Sequence, residues 1–142
     1  MYFEEIKLNQ VIEIEPTVID EQEMLAFARR YDNIPLHTDP EYCKNTRFGS
    51  IIAPGVMSFM AVWANYLKVD ISGEQLVAGK STCMEWHKPV YANDVLYSTA
   101  VVTAKNKTGK HSGLVELTFA VKNQKEELVL TNVTEMVVRC KE

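Results

Sequence analysis

Ala53-Pro54-Gly55-Val56-Met57-Ser58-Phe59-Met60-Ala61-Val62-Trp63-Ala64-Asn65-Tyr66-Leu67 is the stretch on which the fold turns. It carries no charge and is too long for an ordinary strand, so it predicts a helix starting near Ala53 or Pro54 and running to about Leu67. Apolar side chains fall on nearly every side of that helix, which predicts burial all round. Pro54, Gly55, Ser58 and Asn65 interrupt the run from Ile51 to Leu67, which is also short for a membrane span. The helix is therefore expected inside a folded domain, wrapped by other elements.

The wrapping material lies on both sides of it in the chain. From Gln75 onward the period changes to two: Thr82, Met84 and Trp86 alternate with Cys83, Glu85 and His87. Val115, Leu117, Phe119 and Val121 likewise alternate with Glu116, Thr118 and Lys122. Turn clusters at Ala92-Asn93-Asp94, Lys107-Thr108-Gly109 and Asn123-Gln124-Lys125 divide this half into four strands. They run roughly from Leu76 to Lys88, Val95 to Ala104, Ser112 to Lys122 and Glu127 to Arg139, and are expected as an antiparallel meander. Upstream, Val11 to Val18 alternates as a first strand, with Pro16 suited to an edge or a strand end. Asp20 then stands where a helix N-cap should be, with Glu23 three residues on. An amphipathic helix to about Tyr31 follows, burying Met24, Leu25, Phe27, Ala28 and Tyr31.

Strand, amphipathic helix, apolar helix and antiparallel strands make an α+β pattern. A sheet wrapped around a long central helix, the hot-dog fold, accounts for that helix having no polar face. With 142 residues, 46% hydrophobic and 24% charged, the chain is expected as a single domain over residues 1–142. A net charge of −4 with dispersed lysines and arginines gives no electrostatic reason to bind nucleic acid or an anionic membrane. Cys43, Cys83 and Cys140 are odd in number and lack CxxC spacing, so free thiols are expected rather than disulfides or zinc. The N-terminus, carrying Glu4 and Glu5, lacks the layout of a secretory signal. A cytoplasmic protein with no metal is the expectation.

The residues with chemical promise sit between the two helices. Pro35 biases Ile34 towards an extended backbone, so a non-helical crossing segment is expected to carry both Asp32 and His37. A carboxylate and an imidazole can share the work of orienting a water and moving its proton. Downstream, Gly55 at the start of the apolar helix can let a carbonyl approach free backbone N–H groups. Each of these residues also has an ordinary structural use, as a turn residue or a core histidine. Asp39, followed by Pro40, reads as the cap of a short helix to about Asn45, and Asn33 serves turn chemistry or contacts substrate. His87 and His111 carry no assigned role. Trp63, Phe59 and Met60 line an acyl tunnel or belong to the core.

The run Asp32-Asn33-Ile34-Pro35-Leu36-His37-Thr38-Asp39-Pro40-Glu41, with Phe48-Gly49 and Ile52-Ala53-Pro54-Gly55, resembles the signature of MaoC-like dehydratases and (R)-specific enoyl-CoA hydratases. Phe3-Glu4-Glu5, Gln10-Val11, Leu25-Ala26-Phe27-Ala28, Trp86-His87-Lys88-Pro89-Val90 and Asn93-Asp94 extend the likeness over nearly the whole chain. The resemblance implies a lyase of fatty acid metabolism that hydrates an acyl-CoA or acyl carrier protein thioester, with Asp32 and His37 catalytic. It implies that Gly55, Pro54, Ile34 and Asn33 surround the substrate, and that the thioester is substrate with no separate cofactor. A homodimer, or a higher assembly of dimers joined edge to edge, is implied as well. Four positions depart from the pattern: Tyr31 replaces a small residue, Ile34 an amide, Pro54 a histidine and Trp63 a serine.

Two other functions fit a hot-dog domain, because fold alone does not choose the chemistry. An acyl-CoA thioesterase often carries a carboxylate on the central helix, and Pro54 to Val69 holds none. A non-catalytic acyl-thioester binder is the other; it is kept open by Ile34 and Tyr31.

Overall fold

A computed structural model describes residues 1–142. Strand β1 (Val11–Val18) leads into helix α1 (Glu21–Tyr31), two short helices α2 (Pro35–Thr38) and α3 (Pro40–Lys44), and the central helix α4 (Gly55–Tyr66). Strands β2 (Leu76–Trp86), β3 (Val95–Lys107), β4 (Ser112–Lys122) and β5 (Leu128–Arg139) follow, after two single 3-10 turns. All five strands form one antiparallel sheet in the order β1-β3-β4-β5-β2. This is the α+β hot-dog arrangement of a sheet curved over one long helix.

Local sequence accounts for most elements. Asp20 caps α1, its carboxylate accepting from the Glu23 N–H at 3.0 Å. Asp39 caps α3, accepting from the Glu41 and Tyr42 N–H groups at 3.0 and 3.2 Å. Pro16 lies within a register irregularity between Ile14 and Thr17, where its missing N–H breaks no ladder. Val115, Leu117, Phe119 and Val121 all point inward from β4.

Four expectations need correction, the first being that Tyr31, expected on the buried face of α1, is exposed. Only β3, β4 and β5 form a meander; β2 crosses to the far side of β5, and β1 takes the opposite edge beside β3. The segment carrying His37 is not extended throughout, since Pro35 opens the single helical turn α2, at the position where a proline's lack of an N–H costs nothing. Helix α4 is not buried on every side either: Met57, Ser58, Phe59, Val62 and Tyr66 are enclosed, whereas Val56, Met60 and Leu67 form an exposed ridge. One five-stranded sheet covers one side of a helix, and the ridge lies on the other.

The core centres on Phe119, which meets Phe59 and Tyr66 edge-on at centroid distances of 5.3 and 5.4 Å. Trp63 packs beside them, 5.9 Å from Phe119, so Phe59 and Trp63 belong to the core and Met60 to the exposed ridge. Burial, more than the neighbouring Asp70, pushes the Tyr66 phenol far above its usual range. A buried polar chain pins β2 to the sheet: the Asn132 amide donates to Thr82 Oγ1 at 2.7 Å, and the Thr134 hydroxyl donates to Asn132 Oδ1 at 2.6 Å. Cys43, Cys83 and Cys140 are free thiols, and burial raises the first and last above the ordinary thiol range. No helix is long and apolar enough to cross a membrane.

Candidate active site

Helix α1 ends where Asp32 turns the chain, its N–H held by the Ala28 carbonyl at 2.9 Å. Five residues later α2 presents His37 back towards it. The Nε2 of His37 lies 3.2 Å from Asp32 Oδ2, with the imidazole almost fully buried and the carboxylate 43% exposed. The two are therefore placed differently towards solvent: the imidazole is sheltered and the carboxylate reaches into the cleft.

The other side of the imidazole is fixed by backbone. The Ile52 N–H donates to the Leu36 carbonyl at 3.1 Å, and the Ala53 N–H to the Val90 carbonyl at 2.7 Å. Ile52 also bridges Tyr91 in antiparallel fashion. This stitched segment aims the Ile52 carbonyl at His37 Nδ1, 2.7 Å away. A carbonyl oxygen only accepts, so Nδ1 carries the hydrogen. The other ring nitrogen, Nε2, is thereby turned towards Asp32 Oδ2. The geometry thus fixes the ring orientation and holds Nε2 beside the carboxylate.

Opposite this pair, Pro54 precedes α4 with φ −54° and ψ 131° and makes no side-chain cap. The N–H groups of Gly55, Val56 and Met57 consequently have no partner in the chain. These free donors, at the positive end of a twelve-residue helix, suit an oxygen that gains negative charge. A cleft of about 400 Å³ joins both walls, bounded by Asp32 and His37 on one side and by Gly55, Val56 and Ser58 on the other. Arg47, Phe48, Trp86, His87, Lys88 and Pro89 complete its rim. Lys88 is paired with Glu127, while Arg47 lies over the Phe48 ring, 4.9 Å from its centre, without an acidic partner.

Of the residues marked in the sequence, Asp32, His37 and Gly55 line this cleft. Asn33 and Ile34 do not: both are exposed, and the Asn33 side chain makes no hydrogen bond. Pro54 is buried behind Gly55, where it sets the helix start. Gly55 also serves a purpose beyond close approach of a ligand, because a Cβ there would lie 2.2 Å from Trp86 Nε1 and 2.3 Å from Cε2. Its missing side chain is the seat of the Trp86 ring. Phe48 and Trp86 stood in the sequence only as parts of the family resemblance, with no site role given to them, and Arg47 was not marked at all. His87 borders the cleft with Nε2 3.0 Å from the Thr131 hydroxyl. No cluster of three or more His, Cys, Asp or Glu side chains is arranged to hold a metal.

A five-stranded sheet folded over one long helix defines a hot-dog protein, and here an Asp–His pair stands across a cleft from that helix's N-terminus. Residues 4–125 match the family described as MaoC like domain, and the chain belongs to that family. Among solved structures it is similar to a monoamine oxidase regulatory protein from Archaeoglobus fulgidus. The two are 31% identical with a TM-score of 0.94, over 100% of this chain and 96% of that one. An R-hydratase from Pseudomonas aeruginosa shares the fold at 23% identity and a TM-score of 0.79, over 99% of this chain and 86% of the other. The uncharacterized protein YdeM of Bacillus subtilis is 24% identical over 140 residues, covering 98% of this chain and 99% of its own.

Proposed function

We propose that the protein catalyses reversible addition of water to a trans-2-enoyl thioester, of CoA or acyl carrier protein, giving the 3-hydroxyacyl thioester. The observation that carries this is the Asp32–His37 pair, 3.2 Å apart with the imidazole held from behind by the Ile52 carbonyl, facing free N–H donors across one cleft. In the hydration direction the pair receives a proton from a water whose oxygen forms the bond to C3. The C2–C3 π electrons move towards C2 and the thioester oxygen, which the Gly55 N–H stabilises as it becomes enolate-like. C2 then takes a proton from the pair, so atoms and charge balance and the pair returns to its starting state. Dehydration runs the same steps in reverse. Water and the thioester are the only small molecules this scheme requires.

A carboxylate on α4, which a thioesterase reading would favour, is absent, and Asp32 is the sole acid bordering the cleft. Residues 1–142 act in this reading as one unit in a reducing cytoplasm, consistent with three free thiols. A second copy is the expected partner. Nine of the eleven residues of β2 are exposed although β2 is a long edge strand, an edge that folded proteins seldom leave bare. Val56 and Met60 on α4 and Leu67 just after it, each nearly half exposed, add an apolar ridge. Sedimentation of the purified chain is expected to give a dimer, and a monomer at all concentrations would remove that element.

The activity is tested by following enoyl absorbance with crotonyl-CoA and with longer and branched trans-2-enoyl-CoAs, while free thiol is assayed on saturated acyl-CoAs. Loss of the enoyl band without thiol release supports hydration. Thiol release alone would support hydrolysis, and tight acyl-CoA binding without turnover of any substrate would support a binding role.

A further inference from the structure

The Trp86 side chain has a position that packing alone does not demand. It is 54% exposed, so it is not a core residue, yet the face of its ring, at the Nε1–Cε2 bond, lies over the backbone of Gly55, in the space where any other residue would place a Cβ. The nearest ring atom to that space is Nε1, at 2.2 Å. The Nε1–H has no acceptor in the chain, although both Gly55 and Trp86 border the same cleft. An ideal Cβ stands about 2.5 Å from its own backbone nitrogen by standard covalent geometry. The indole nitrogen and the unpaired Gly55 N–H are therefore close neighbours on one wall, opposite Asp32 and His37.

We propose that the Trp86 indole N–H is a second hydrogen-bond donor to the substrate's thioester oxygen, completing with the Gly55 N–H a two-donor oxyanion site. This rests on the hydration reading above. Indole donates and never accepts, so the group selects for an oxygen and stabilises it more as negative charge builds during formation of the enolate-like intermediate. A phenylalanine at position 86 would supply the same packing on Gly55 without the donor. Gly55 in this view has two linked duties, offering its own N–H and making room for the indole beside it.

Trp86→Phe, which keeps the ring, separates the donor from the packing. On crotonyl-CoA the variant is expected to lose about tenfold or more in kcat with KM changed much less, the pattern of a donor that acts mainly in the transition state. Independently of turnover, the indole Hε1 resonance of Trp86, assigned as the one missing from Trp86→Phe, is expected to move downfield when wild-type protein is titrated with butyryl-CoA. The Trp63 signal should stay in place. A wild-type kcat in Trp86→Phe would overturn the proposal while leaving the hydratase reading intact. If neither wild type nor variant hydrates any enoyl-CoA, the hydratase reading fails. The NMR titration then decides the donor alone: a Trp86 shift with butyryl-CoA supports it, and an unmoved signal overturns it.

Discussion

The two walls of the cleft are built on opposite plans. On one, function resides in side chains: Asp32 and His37 meet because α1 stops, one helical turn intervenes, and the Ile52 carbonyl holds the imidazole from behind. On the other, function resides in backbone: the start of α4 leaves N–H groups free, and the important residue, Gly55, contributes by having no side chain. In the proposed reaction the first wall moves protons and the second stabilises charge that develops on an oxygen. The difference teaches where substitutions act. Chemistry on the first wall can be removed by changing one atom, whereas the second wall is lost only by adding atoms or by displacing the helix start.

The largest effect is expected on the side-chain wall. Asp32→Asn and His37→Ala should each lower kcat/KM by about a hundredfold to ten-thousandfold, the usual span for a positioned acid–base group. Circular dichroism should show both folded, because Asp32 is half exposed and His37 has only one backbone bond to lose.

On the backbone wall Gly55→Ala adds a Cβ into the Trp86 ring and must expel it. The expected outcome is a changed tryptophan emission, a raised KM and a loss of stability of about 1–3 kcal/mol, as for overpacking elsewhere, read by urea denaturation. An unchanged emission spectrum would break the contrast between the walls.

Away from both walls, Asp20→Ala removes the α1 cap and should cost about 1 kcal/mol of stability, with kcat unaltered. Smallest of all, Asn33→Ala should stay within about 0.5 kcal/mol of wild type and keep its activity, because the side chain is exposed, unbonded and outside the cleft.

Local chemistry explains why some features were legible in the sequence and others were not. Caps, the extent of β1 and the start of α4 near Gly55 depend on neighbours within a few residues, and Asp20, Pro16 and Pro54 announce them. The proximity of Asp32 and His37 could be anticipated for the same reason, being separated by a single turn. The crossing of β2 to β5 depends on pairings such as Thr82 with Thr134, more than fifty residues apart, and alternation records a strand without naming its partner. Trp86 against Gly55 is likewise a long-range contact. Ile34, at a position where the family resemblance leads one to expect an amide, proves to lie outside the cleft, so its apolar side chain leaves the acid–base pair untouched.

Asp32 and His37 acting as one unit is the centre of the proposed mechanism, and the double variant Asp32→Asn/His37→Ala tests it most directly. Two groups acting as a unit lose their function once, so crotonyl-CoA hydration by the double variant should fall within about twofold of the slower single variant. Losses that multiply, or a wild-type rate in Asp32→Asn, would contradict it.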